Sequence, residues 1–328
     1  MTSELDSGGT EVEATEAGPS QSCPACGELG APGAEWCEAC GADYAGEHTA
    51  LTGPACVDCG AAHELIVEGY CSDCGRKQPA ERDHQTQSVA GPDGMGVVAV
   101  SDRGLRHHQN EDAYAIGIVG NQLVAVVADG VSTTADPQDA SLGAAIAARD
   151  SLVAALEAGA SDIEAELVTA VAKAQTAAAA VPVTSSGEGA PSTTIVASIV
   201  SPDSSDASLM STHTAWLGDS RAYWLHEVDG APAVEQLTTD DDFEGSITRW
   251  LGADAPDTSP HIVLAEHDAG GTLLVCSDGL WKYVPTNDEM AALLADHREV
   301  SGLELAEALV AYALERGGHD NTTVVLAG

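Results

Sequence analysis

Residues 123–130, LVAVVADG, decide the fold of this chain. The six apolar residues are rich in valine and predict a strand that is buried on both faces. The run stops at Asp129 and Gly130. A carboxylate at the end of a buried strand costs free energy unless a positive group compensates it. The stretch therefore predicts a cation beside Asp129.

The same pattern recurs near the C-terminus. Residues 272–276, TLLVC, lead to Asp278, and Asp320 comes shortly before the apolar run 323–327. No lysine or arginine matches these strand-end acids in position. Hard divalent cations take oxygen ligands. The acids therefore predict a centre for such ions.

Net charge and hydropathy narrow the classes of partner. The 328 residues include 52 acids and only 12 lysines and arginines, which gives a formal charge of −40. This field repels phosphate backbones and anionic lipid, so we expect no nucleic acid and no membrane among the partners. No apolar stretch approaches the ~20 residues of a membrane span. Residues 1–20 lack the plan of a signal peptide and predict an acidic disordered tail, so we expect a cytoplasmic protein.

Eight of the nine cysteines form four Cys-x-x-Cys pairs. Two such turns complete a tetrahedron at ~2.3 Å from zinc, and a glycine follows the second cysteine of every pair. The pairs predict two zinc ribbons, at 21–45 and 54–76, with one structural zinc ion each. A disulfide framework is the alternative, but the spacing favours zinc. The predicted zinc ligands are Cys23, Cys26, Cys37 and Cys40 in the first ribbon and Cys56, Cys59, Cys71 and Cys74 in the second.

The composition of the sequence changes after the predicted ribbons. Residues 77–94 are polar without apolar periodicity and predict a linker. Over residues 95–328, predicted strands come in runs and predicted helices in pairs, which indicates an α+β fold of packed sheets with helices outside.

The region 95–328 resembles the metal-dependent Ser/Thr protein phosphatases (the PPM, or protein phosphatase 2C-like, family) in their compact bacterial form. The resemblance implies a four-layer β-sandwich flanked by helices. Seven segments carry it in chain order: SDRGLRHHQNED (101–112), VVADG (126–130), STT (192–194), LGDSRAYWL (217–225), ITRWLG (247–252), CSDGLW (276–281) and GGHDNTTVVL (317–326).

The resemblance also implies roles for the strand-end acids. Asp129 would bridge two manganese or magnesium ions, and the carbonyl of Gly130 would also coordinate. Asp278 and Asp320 would complete the shell of one ion. A hydroxide between the two ions would then attack phosphorus in phosphoserine or phosphothreonine.

Three further acids are implied at the same centre. Glu111 and Asp112 would hold the water shell of the second ion, and Asp219 matches the acid of a third, weaker ion site. Asp129, Asp278, Asp320 and Glu111 are the implied catalytic residues.

Two segments depart from the family pattern. The family usually has Asp-Gly-x-Gly-Gly after the bridging acid, whereas this chain has Val131-Ser132-Thr133, so we expect a rerouted or strained loop. The family's phosphate-binding arginine is replaced by His107, with Arg106 beside it. We expect Arg106 or a protonated His107 to bind the phosphate.

The predicted function is a metal-dependent phosphoprotein phosphatase with regulatory or recruiting zinc ribbons. The altered loop motivates an alternative, a weakly active or inactive phosphatase-like scaffold that acts through protein contacts of the ribbons. The expected partners are a phosphorylated protein substrate and a cognate Ser/Thr kinase.

Overall fold

The computed structural model describes residues 55–67, 69–203, 205–206 and 208–328. The chain divides into two compact units, Met1–Gln78 and Pro79–Gly328. The predicted acidic tail and the predicted first ribbon lie outside the described residues. Within the described part, no helix is long and apolar enough to cross a bilayer.

The described part of the first unit is small. A 3-10 turn, His63–Leu65, leads into a hairpin of β1 (Ile66–Val67) and β2 (Tyr70–Cys71). Gly60 and Gly75 have φ angles of 72° and 75°. Each glycine follows the second cysteine of a pair and allows the left-handed turn that a side chain would resist.

The second unit contains two antiparallel sheets. The six-stranded sheet consists of β3 (His84–Ala90), β4 (Gly96–Asp102), β10 (Arg221–Val228), β11 (Ala231–Gln236), β16 (Thr272–Cys276) and β17 (Thr322–Ala327). The five-stranded sheet consists of β5 (Ala113–Val119), β6 (Gln122–Ala128), β8 (Ile195–Pro202), β9 (Leu209–Leu217) and β15 (His261–Asp268). Their strand orders are β11-β10-β16-β17-β4-β3 and β15-β9-β8-β6-β5. Two short pairs complete the strands: β7 (Ser192–Thr193) with β14 (Leu251–Gly252), and β12 (Asp242–Phe243) with β13 (Ser246–Ile247).

Helices cover the outer faces of both sheets. The long helices α1 (Pro137–Glu157) and α2 (Ile163–Ala179) pack on the five-stranded sheet, whereas α3 (Asp278–Trp281), α4 (Asn287–Asp296) and α5 (Leu303–Glu315) lie against the six-stranded sheet. A third apolar cluster fills the space between the sheets. This arrangement confirms the predicted four-layer sandwich flanked by helices.

Strand β6, which contains most of the stretch LVAVVADG, faces two of these apolar clusters. Val124 and Val126 point to α1 and α2, and Leu123, Ala125 and Val127 point to the other sheet. Successive side chains of a strand alternate between its faces. Because both faces are covered, the whole run is apolar instead of alternating with polar residues.

The segment 77–94, predicted to be a linker, differs in the structure. Its residues His84–Ala90 form β3, which pairs with β4 at the edge of the six-stranded sheet. Most β3 side chains are exposed. An edge strand with so little burial has no apolar period, so its sequence looks like that of a linker.

Candidate metal centre

The four described cysteines of the first unit converge. The Sγ atoms of Cys56 and Cys74 lie 3.6 Å apart, those of Cys59 and Cys71 lie 3.7 Å apart, and all four lie within 4.8 Å of one another. A tetrahedral zinc ion with sulfur ligands at ~2.3 Å requires sulfurs about 3.8 Å apart. All four thiols are free. The spacing therefore fits a zinc site better than a disulfide, whose sulfurs would lie ~2.05 Å apart.

Hydrogen bonds hold this cysteine cluster in shape. The amides of Gly60 and Gly75 donate to the carbonyls of Cys56 and Cys71 at 2.9 and 2.8 Å. A backbone hydrogen bond at Cys59 is the main cause that lowers the pKa of Cys56 to about 6, which favours the thiolate. Gln78 donates from Nε2 to the Sγ of Cys56 at 3.3 Å, a contact with no signal in the sequence. The first predicted set of zinc ligands, Cys23, Cys26, Cys37 and Cys40, lies outside the described residues.

In the second unit, the predicted acids lie at strand ends of both sheets. Asp112 directly precedes β5 and Asp129 directly follows β6, in the five-stranded sheet. Asp278 begins α3 just after β16, and Asp320 comes just before β17, in the six-stranded sheet. Asp219 lies in the turn between β9 and β10, which joins the two sheets. Strand ends from both sheets therefore bring these acids to one end of the sandwich.

The acids are close enough to perturb one another. Burial, followed by the charges of Asp112 and Asp278, raises the pKa of Asp129 well above its usual range. Burial raises the pKa of Asp112 to about 7, with smaller contributions from Asp278 and Asp320. Burial and then Asp278 raise the pKa of Asp219 to about 7. This concentration of negative charge favours bound cations.

The donor atoms fit hard divalent ions. Asp219 is only 7% exposed, and its Oδ1 is buried with no hydrogen-bond partner among the described residues. Such an orphaned oxygen is stabilised by a cation. Among the described residues, the cysteines are the one set of three or more ligand atoms within 4.8 Å of one another. As placed, the carboxylates of the described residues therefore do not converge on a single point as the four thiols do.

Glu111 and Gly130 lie beside the same acids. The buried Glu111 accepts a hydrogen bond through Oε2 from the Ser132 hydroxyl at 2.5 Å, and its amide donates to Oδ1 of Asn321 at 2.8 Å. A Cβ on Gly130 would lie 2.7 Å from the Glu111 carbonyl and 2.8 Å from the Pro137 carbonyl. Only glycine fits this close approach.

Of the two predicted phosphate-binding residues, His107 lies beside the acids and Arg106 lies in solvent. Nε2 of His107 lies 3.1 Å from Oδ1 of Asp320, and its Nδ1 lies 3.8 Å from Oε2 of Glu111. Arg106 is exposed, and its side chain forms no hydrogen bond or ion pair within the described part of the chain. His107, and not Arg106, therefore faces the acids.

Lys282 contradicts the expectation that no lysine matches the strand-end acids. Its ammonium pairs with Oδ2 of Asp278. The two residues are four positions apart along α3 and its C-terminal cap, the spacing that places side chains on one helix face. The sequence contained this signal, because the motif Asp278-Gly-Leu-Trp predicts a helix start and Lys282 follows it directly.

The expected strain in the loop after Gly130 is also absent. Within the described residues, neither Val131, Ser132 nor Thr133 has a positive φ. The left-handed residue is Asp136, with a φ of 45°. Its carboxylate accepts hydrogen bonds from the amides of Thr184 and Ser185, which lower its pKa to about 2. The loop therefore takes its left-handed conformation at Asp136, where these hydrogen bonds hold it, and not at the positions of the missing glycines.

Comparisons with known proteins point to one family. The model of the family described as protein phosphatase 2C matches residues 103–312. The serine/threonine protein phosphatase PstP of Mycobacterium tuberculosis (strain CDC 1551 / Oshkosh) is 35% identical over an alignment of 129 residues, and the match covers 34% of this chain and 24% of that protein. The match thus spans about a quarter of the length of the curated relative.

Solved structures resemble about three quarters of this chain. A crystal structure of a mutant bacterial serine phosphatase is 26% identical, covers 74% of this chain and 97% of that chain, and has a TM-score of 0.52. A crystal structure of the catalytic domain of PstP in complex with two manganese ions has the same identity and coverage and a TM-score of 0.48.

Proposed function

Because the chain belongs to the protein phosphatase 2C family, we propose that it is a metal-dependent phosphatase of phosphoserine and phosphothreonine in proteins. One observation carries the proposal. Asp112, Asp129 and Asp278 come from the strand ends of two different sheets, and burial together with neighbouring acids, Asp320 among them, raises the pKa of each. Such mutual repulsion is unfavourable without bound cations.

The family resemblance implies the roles of the acids. Asp129, the carbonyl of Gly130, Asp278 and Asp320 would hold the manganese or magnesium ions directly. Glu111 and Asp112 would hold their bound water. When bound, two such ions supply a hydroxide near neutral pH and balance the charge of the transferred phosphoryl group.

Backbone and side-chain hydrogen bonds hold the acids in place. The amide of Asp129 donates to the Thr194 hydroxyl at 3.1 Å, and its carbonyl accepts from the Thr194 amide at 2.8 Å. Asn321 accepts from the Glu111 amide and donates from Nδ2 to the carbonyl of Gln109 at 3.1 Å. Asn321 thus ties the turn of Asp320 to the loop of Glu111.

His107 would bind the phosphoryl group where the family has arginine. Its imidazole already lies between the carboxylates of Asp320 and Glu111. Once cations neutralise those carboxylates, an imidazole N–H becomes available to a phosphoryl oxygen. A single imidazole N–H cannot form the two parallel hydrogen bonds of a guanidinium, so we expect weaker phosphate affinity than with arginine.

The ribbons are proposed to bind zinc and to serve regulation or substrate recruitment. The sulfur spacing of Cys56, Cys59, Cys71 and Cys74 supports one zinc ion in the second ribbon. The substrate would be a phosphorylated protein, whose phosphate a Ser/Thr kinase must have added, and the proposed location is the cytoplasm. The absence of a positive φ at Val131, Ser132 and Thr133 supports an active enzyme over an inactive scaffold.

Manganese-dependent hydrolysis of a phosphothreonine peptide by the full chain tests the activity. We expect a chelator, Asp129→Asn and Asp278→Ala each to reduce turnover to background. Asp288→Asn changes an exposed acid of α4 and should leave turnover unchanged. Equal background rates for the unmodified protein and Asp129→Asn would overturn the proposal in favour of the scaffold function.

A further inference from the structure

Lys282 lies at the edge of the acidic centre and is the C-cap residue of α3. Its amide donates to the carbonyl of Asp278 at 3.0 Å, and its ammonium pairs with Oδ2 of the same residue. The Lys282 side chain is 53% exposed, whereas that of Asp278 is 12% exposed. The ammonium therefore enters the centre from the solvent side.

The short helix also holds the turn of Asp219. The indole Nε1 of Trp281 donates to the Asp219 carbonyl at 2.9 Å. The Arg221 guanidinium lies 3.6 Å from the centroid of the Trp281 ring, which fixes that ring from its other side. Asp278, Lys282 and Asp219 are therefore held close to one another by adjoining elements.

Lys282 responds to several acids of the centre. Burial lowers its pKa, but Asp278 and then Asp219 and Asp320 outweigh burial and raise the pKa overall. The influence is mutual, because Lys282 opposes the upward shift of the Asp219 pKa. Oδ1 of Asp219 nevertheless remains buried without a hydrogen-bond partner in the described part of the chain. The Lys282 ammonium thus influences the Asp219 carboxylate without a hydrogen bond to this oxygen.

We propose that the Lys282 ammonium is a tethered cation in the third ion site, the site whose donors are Asp219 and Oδ2 of Asp278. This inference rests on the proposed two-ion centre. The ammonium engages only Oδ2, so Oδ1 of Asp278 stays free for the ion that Asp278 and Asp320 share. The chain thus binds two divalent ions under conditions in which three would otherwise bind.

The physical reason is competition between a tethered and a free cation. A side chain on the same helix face has a high effective concentration at Asp278 and pays no translational entropy to bind there. Its single charge neutralises part of the repulsion among the acids, but it cannot coordinate several oxygens as a divalent ion does. A third ion must displace it, so the third site is weakened.

Calorimetric titration of manganese into the full, zinc-loaded chain tests the inference by counting ions. The unmodified protein should bind two manganese ions per chain. Lys282→Gln removes the charge from a half-exposed side chain and should tighten the third site by about tenfold, so that a third ion becomes measurable. Lys282→Arg keeps a cation at the same place and should still bind two. Lys173→Gln removes an exposed lysine of α2 and serves as the matched control.

The donors are tested in the same way. Asp219→Asn, introduced together with Lys282→Gln, should abolish the third ion and leave two. Equal numbers and affinities of ions in the unmodified protein and Lys282→Gln would overturn this inference alone. Failure of the unmodified protein to bind any manganese would instead overturn the proposed two-ion centre, and this inference with it.

Discussion

The hydroxyl of Ser132 donates a hydrogen bond to Oε2 of Glu111 at 2.5 Å. Ser132 replaces a glycine of the family pattern, and its hydroxyl holds an acid that we propose orients water around an ion. Residues that orient ligands in this way typically change metal affinity or activity when they are removed. The serine at position 132 therefore adds a hydrogen bond that holds the Glu111 carboxylate in the proposed metal centre.

Ser132→Ala should weaken manganese activation by roughly tenfold, because Glu111 loses the donor that fixes its carboxylate. The measurement is the manganese concentration at half-maximal turnover of a phosphothreonine peptide. Thr133→Ala is the matched control, since it removes the exposed neighbouring hydroxyl, which has no hydrogen bond among the described residues. Similar manganese curves for Ser132→Ala and the unmodified protein would contradict the support role.

His107→Ala should raise KM for the phosphopeptide by roughly tenfold, the loss expected for one charge-assisted hydrogen bond. Arg106→Ala should leave KM unchanged, since Arg106 is exposed and contacts no acid of the centre. Steady-state kinetics at saturating manganese separates the two residues. A KM effect confined to Arg106→Ala would show that the arginine moves into the site with substrate.

The metal-free protein should become less stable as pH rises from about 4 to about 7. In the folded protein the pKa values of Asp112 and Asp219 are raised from 3.8 to about 7, so in this range the folded state binds more protons than the unfolded state. The free energy of unfolding therefore falls as pH rises. Urea unfolding at several pH values, with and without manganese, measures it.

Asp219→Asn should flatten this pH dependence, and manganese should restore stability near pH 7.5, because ions that bind only the folded state stabilise it. The net charge of −40 acts in the same direction for every variant, so the comparison of slopes isolates the site. Asp288→Asn is the exposed control. If the free energy of unfolding changes with pH equally in Asp219→Asn and in the unmodified protein, the pKa of Asp219 is not raised in the folded protein.

Cys71→Ser should reduce the zinc content of the full chain by one ion. Cys71 is 1% exposed, and its sulfur lies 3.7 Å from that of Cys59, so one lost thiolate opens the tetrahedron. Cys276→Ala changes a cysteine of the six-stranded sheet and should leave the zinc content unchanged. Zinc is measured by a colorimetric chelator after mild denaturation. Unchanged zinc in Cys71→Ser would exclude this residue as a ligand.

Arg82→Ala should lower the free energy of unfolding by about 1–3 kcal/mol, the cost of leaving buried carbonyls without a donor. Its guanidinium donates to the carbonyls of Asp112 and Gln138, each at 2.8 Å. Arg106→Ala removes an exposed guanidinium and serves as the control. Urea denaturation measures both. An equal loss in both variants would mean that the contact contributes nothing specific.

Much of the second unit was predictable because its buried strands are continuous apolar runs in the sequence. The apolar runs that end at Ala128 and Cys276 are covered on both faces, so their composition alone indicated buried strands. Strand β3 was not predictable, because an exposed edge strand carries few apolar residues. Arg82 was missed for a different reason: the partners of its side chain are backbone carbonyls, which leave no trace in the sequence.

In the candidate site, too, some residues were identified from the sequence and others were not. The acids Asp129, Asp278 and Asp320 were identified from their positions at strand ends, and the cysteine cluster from its spacing. The contacts of Ser132, Ser277 and Lys282 were not identified. The Ser277 hydroxyl, for example, donates to Oδ2 of Asp112 at 2.7 Å across 165 residues of sequence.

Residue order alone was enough to predict the buried strands, the acids at their ends and the Cys-x-x-Cys pairs, because each depends on local composition and spacing, whereas the four layers came from the family resemblance. The tertiary structure was needed to show which distant residues support those acids: Ser132, which donates to Glu111, and His107, which lies beside Asp320. Range explains the difference. Burial and turn chemistry act on neighbouring residues, whereas hydrogen bonds and ion pairs join side chains that the sheets bring together from distant parts of the chain.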